Sequence, residues 1–131
     1  MEEQVLSVEQ MQELIDMGID TSKASICWLI PRLKGEILLH ICTEKDEWEY
    51  IEKTFMRYPT FTLQDVLKML PNSIKFAQLS GILTIKKDSM NYYQVQYKDF
   101  IKEYNIQQFV EKSLLDATFN MLKWCKQNNY I

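Results

Sequence analysis

Histidine occurs once in the chain, at His40, and glycine and proline only three times each. With one imidazole, any nucleophile–base relay or histidine-rich metal site depends on that single residue. The glycines Gly18, Gly35 and Gly81 are isolated, so neither a Gly-x-Gly-x-x-Gly turn nor a Walker loop is present to cradle phosphate. Cysteine forms an odd, widely spaced set, Cys27, Cys42 and Cys125, with no Cys-x-x-Cys pair. That excludes a recognisable zinc motif and a disulfide framework, and it suits thiols used as small apolar side chains in a reducing compartment. No Asp-x-Asp-x-Asp loop with a central glycine exists to hold calcium. The longest apolar run, Ile26-Cys27-Trp28-Leu29-Ile30, falls far short of the ~18 residues a membrane span needs. The start, Met1-Glu2-Glu3-Gln4, is acidic where a signal peptide is basic. The expectation is a cytoplasmic protein without cofactor, metal or membrane contact.

What is present suits a packed domain. Of 131 residues, 47% are hydrophobic and 25% charged, ordinary values for a globular chain. The absence of a Gly-, Ser- or Pro-rich tract predicts one domain over 1–131. The net charge of −3 is unevenly spread. Residues 1–52 hold 12 acidic and 4 basic side chains, a net −8, and residues 53–131 hold 6 and 11, a net +5. Such an imbalance marks either complementary halves or a basic surface for an acidic partner.

Periodicity places the elements. Ser7 and Gln10 form a capping box ahead of Val8, Met11, Leu14 and Ile15, an apolar helical face that Gly18 terminates. Residues 25–42 predict a hairpin turning across Pro31 to Gly35, with Ile26, Trp28 and Ile30 on one face and Cys27 and Leu29 on the other. Apolar residues on both faces imply an interior strand, or a face reserved for another molecule. Trp48, Ile51 and Phe55 lie at helical spacing, predicting a helix from Thr43 to Arg57 that Tyr58-Pro59 ends. Thr62 and Asp65 open a further helix, with Leu63, Val66, Leu67 and Leu70 as its apolar stripe and Pro71 as its stop.

The second hairpin can be registered from polarity. Pairing residues whose numbers sum to 180 puts Leu83, Ile85, Tyr93, Val95 and Tyr97 on one face, and Thr84, Lys86, Gln94 and Gln96 on the other. Ser89-Met90-Asn91 becomes the loop, with Asn91 in the left-handed position. The last helix, residues 111–128, has a narrow polar stripe and a wide apolar arc, which predicts a central helix packed on the sheet. The architecture expected is α+β, an antiparallel sheet built from two hairpins with three to four packed helices.

Candidate chemistry is sparse. His40 is expected on the side of Cys42, near Trp28. The carboxylates Glu44, Asp46, Glu47, Glu49 and Glu52 read most simply as a solvated face. Lys86, Lys87, Tyr92, Lys98 and Lys102 interleave charge with an aromatic ring, as single-stranded nucleic-acid platforms do. The register puts Tyr93 and Tyr97 on the core side, and a pI of about 5.2 argues against a dedicated nucleic-acid binder.

Thr62 to Pro71, together with Leu115-Asp116-Ala117, Met121 to Cys125, Asn128 and Ile131, resembles small uncharacterised proteins of gut Bacteroides-type bacteria, often carried in prophages and mobile elements. Asp20 to Ser25 with Cys27-Trp28 is similar to their N-terminal part. The resemblance covers under a third of the chain, implies an origin and carries over no activity or functional residue. The function expected is a non-catalytic protein-interaction module. Its partner is another protein or a second copy, at an interface built on Ile26, Trp28, Ile30 and Leu38. The alternatives are a nucleic-acid-associated protein using the basic half and, more weakly, an enzyme with its site at His40.

Overall fold

The computed structural model describes residues 4–22, 24–41 and 52–131. The chain is α+β and divides into two compact units, Met1–Asp65 and Val66–Ile131.

In the first unit, helix α1 (Val8–Asp16) starts as its sequence dictates. The Ser7 hydroxyl accepts from the Gln10 amide at 3.1 Å, and the Gln10 side chain accepts from the Ser7 amide at 3.0 Å. Gly18 follows the C-cap with φ +86°, a left-handed conformation that favours glycine. Three antiparallel strands, β1 (Ile26–Pro31), β2 (Leu38–Ile41) and β3 (Phe55–Thr60), assemble in the order β2-β1-β3. The predicted first hairpin is therefore present, and its two-sided apolar strand is the interior one. Ile26, Cys27, Trp28 and Leu29 are all buried. Ile26 and Trp28 join Val5 in the core, with Val8, Leu39 and Tyr58 packed against them. The Trp28 indole donates to the Leu6 carbonyl at 2.9 Å, and the Thr60 hydroxyl donates to the same oxygen at 2.6 Å.

The helix expected over 43–57 is corrected at its C-terminal end. Residues 52–54 are helical, but Phe55, Met56 and Arg57 begin strand β3, paired with Pro31, Ile30 and Leu29 of β1. Residues 43–51 lie outside the described residues. Pairing with β1 overrides local helical spacing here. Pro59 is tolerated inside β3 because β3 is an edge strand and need not donate outward.

Helix α2 (Leu63–Met69) spans the boundary between the units. Its start is closed reciprocally, the Asp65 carboxylate accepting from the Thr62 amide at 3.0 Å and the Thr62 hydroxyl from the Asp65 amide at 3.1 Å. Val66 and Leu70 are buried, while Leu63 and Leu67 are half-buried.

The second unit is a meander of β4 (Ser73–Phe76), β5 (Leu79–Lys87), β6 (Tyr93–Asp99) and β7 (Tyr104–Glu111), in the order β4-β5-β6-β7, followed by α3 (Leu114–Gln127). The two hairpins thus seed separate sheets rather than sharing one. The β5–β6 register is the one read from polarity, with Leu83 opposite Tyr97, Ile85 opposite Val95 and Thr84 opposite Gln96. The Asp88 amide donates to the Tyr92 carbonyl at 2.9 Å, and Asn91 has φ +64°.

Helix α3 packs on β6 and β7, and Leu115, Ala117, Thr118, Phe119, Met121, Leu122 and Cys125 are buried along it. Tyr97 anchors the contact. Its ring lies 6.4 Å from that of Trp124, and its hydroxyl donates to the Pro71 carbonyl at 2.7 Å. Burial, with the Cys125 thiol beside it, pushes the Tyr97 phenol far above its ordinary value, so it remains a donor. Gly81 is closely packed: a Cβ there would sit 2.6 Å from Ile106 Cδ1 and 3.1 Å from Tyr97 Cβ, so a side chain would have to displace both.

Candidate functional site

Beyond β1, the chain turns through residues 32–37 at the open end of the first sheet. Gly35 lets this loop fold back on Pro31. Its φ is +154°, and a Cβ would lie 3.2 Å from the Pro31 ring. Two bonds from Arg32 tie the loop to the segment entering β3, the amide donating to the Thr54 carbonyl at 3.0 Å and Nε to the Glu52 carbonyl at 2.7 Å. A cleft of about 480 Å³ results, within the range of ligand-sized sites. Pro31, Leu33, Leu38 and Phe55 give it apolar walls, and Arg32, Lys34 and Lys53 outnumber Glu36 among its charged lining. Leu33 is 95% exposed, and Ile37 and Leu38, which follow it in the chain, are exposed as well. Large apolar side chains gathered at one exposed end mark an interaction surface better than scattered ones.

Two of the four residues predicted for the interface, Ile26 and Trp28, are corrected to core. The α1 side of the sheet covers them, and the indole N–H is spent on Leu6. Ile30 is half-buried opposite Met56, and Leu38 lines the cleft. His40 is also corrected. It pairs with Cys27, whereas Trp28 pairs with Leu39, so alternation puts the imidazole on the opposite face from the indole. A thiol beside an imidazole is a nucleophile–base pairing, but Cys27 is fully buried. Cys42 lies outside the described residues. Among the described residues, no group of three or more His, Cys, Asp or Glu side chains is arranged to hold a metal ion. No helix among them is long and apolar enough to cross a membrane.

The five residues of the predicted nucleic-acid surface are not brought together. Lys86 and Lys98 alternate onto the sheet face away from Tyr97 and α3. Lys87 belongs to the other face, its Nζ 5.3 Å from the Tyr93 ring centroid. Tyr92 sits at the hairpin loop beneath Lys112, at 5.8 Å. The Lys102 ammonium donates to the Gln78 carbonyl at 3.2 Å. Sequence reasoning missed Leu33 and Lys34, treated only as turn residues. Their signal was a leucine at a loop position that polar residues usually occupy.

No protein-family model, curated protein or solved structure matches the chain.

Proposed function

We propose that the chain is a non-catalytic protein-interaction module whose cleft at residues 31–38 and 53–55 takes an apolar side chain flanked by carboxylates. The observation that carries this is a cationic rim of Arg32, Lys34 and Lys53 around apolar walls, inside a unit that is otherwise acidic. Apolar burial supplies affinity in such a site, and charge complementarity selects the partner and its orientation. A reducing, cytoplasmic setting belongs to the same proposal, since Cys27 and Cys125 are buried free thiols.

Peptide display tests the reading. Random 12-residue peptides selected on the full chain are expected to converge on a large apolar residue beside Asp or Glu. Leu33→Asp and the double change Lys34→Glu, Lys53→Glu should each weaken the selected peptides about tenfold or more, because each opposes the incoming group directly. Selected peptides that bind these folded variants as well as the parent chain would refute the assignment.

A further inference from the structure

The second unit carries a different surface. Its sheet has one face under α3. Side-chain alternation through β4–β7 puts Lys75, Lys86 and Lys98 on the other, with the amides of Gln94, Gln96 and Gln108 between them. Among the described residues, no strand position on that face is a carboxylate. Three of the unit's five acids are engaged off that face, while Glu103 lies exposed in the β6–β7 turn. Asp88 accepts from the Met90 and Tyr92 amides, Asp99 from the Ser80, Ile101 and Lys102 amides, and Glu111 from the Asn120 side chain.

The face ends at an exposed aromatic ring. Lys98 Nζ lies 5.3 Å from the centroid of Phe100, which is 52% exposed at the β6–β7 turn. In the middle row Gln96 is only 2% exposed, and its buried Oε1 has no hydrogen-bond partner among the described residues. Lysine ammoniums, the accessible amides of Gln94 and Gln108, and an exposed aromatic ring are the three elements used on single strands. They serve phosphates, base edges and base faces respectively.

We infer that this face of the 66–131 unit binds single-stranded nucleic acid, with Lys75, Lys86 and Lys98 along the backbone and Phe100 stacking a base. Neither Lys87 nor Tyr92 belongs to the surface.

The test is fluorescence anisotropy with a labelled, mixed-sequence 20-nucleotide single strand, using the full chain at 50 and 200 mM salt. Three phosphates neutralised predict affinity roughly 20-fold weaker at the higher salt. The double change Lys86→Glu, Lys98→Glu should weaken binding and cut that salt effect to about threefold. Phe100→Ala should weaken binding about tenfold with the salt effect unchanged. Lys68→Glu, an exposed charge on α2, serves as the control and should change nothing. Circular dichroism and thermal melts confirm that each variant is folded. Absence of binding at 50 mM salt overturns the inference. So does competition by poly-glutamate at equal charge with Phe100→Ala neutral, which would make the face a docking site for acidic protein.

Discussion

Asp99 closes β6 by gathering three backbone amides, those of Ser80, Ile101 and Lys102, each at 3.0 Å. Those bonds, led by the one from Lys102, hold its carboxyl below the ordinary carboxylate range. Because the folded value is depressed, the stabilisation is fully present above the unfolded value of about 3.9 and is lost as pH falls through the folded one. Asp99→Asn is therefore expected to lower stability by the same amount at pH 7 and pH 5, with the gap closing toward pH 3. Urea denaturation of both proteins at the three pH values checks this, and a gap undiminished at pH 3 would contradict it. Trp28 is buried by residues distant from it in sequence. Its placement on a two-sided apolar strand was legible, but whether protein or a partner covers it depends on Val5, Leu6 and Val8, residues about 20 positions earlier. Apolarity alone does not separate core from interface.

At the level of elements, the β5–β6 hairpin was the most legible part of the chain. Strict alternation allowed one register, and Asn91 supplied the positive φ that its loop needs. Asn91→Gly should change stability by no more than a few tenths of a kcal/mol. Asn91→Val should cost about 1–2 kcal/mol, the penalty for a branched side chain in the left-handed region. Thermal melts of the two variants measure the difference, and equal midpoints would mean that the loop is not held in that conformation.

The capped helices were legible for the same reason, because Ser7 with Gln10 and Thr62 with Asp65 signal locally. Strands β3, β4 and β7 were not. Phe55-Met56-Arg57-Tyr58-Pro59-Thr60 has no alternation and contains a proline that only an edge position tolerates. β4 has four residues. In β7 the register shift opposite Tyr97 and Lys98 leaves Ile106 out of the pairing. Alternation therefore breaks between Asn105 and Gln107, and the apolar set Ile106, Phe109 and Val110 falls at the i, i+3, i+4 spacing of a helix instead of the period of a strand. The cleft was legible only through Leu38. Its remaining walls meet because β3 returns beside β1, a pairing between residues about 25 apart that no local pattern encodes.

Across the whole molecule, charge divides with the two units. Residues 1–65 hold 13 acidic and 6 basic side chains, a net −7, and residues 66–131 hold 5 and 9, a net +4. The proposed peptide cleft runs against the sign of its own unit, whereas the carboxylate-free sheet face follows the sign of its unit. Site-specific photocrosslinking in the native host shows whether the cleft meets a protein partner. A crosslinking side chain would replace Leu33, with Met90, 76% exposed in the other unit, as the matched control. A protein adduct of defined mass is expected at position 33, surviving nuclease and absent at position 90. Equal crosslinking at the two positions, or an adduct lost on nuclease treatment, would contradict that expectation.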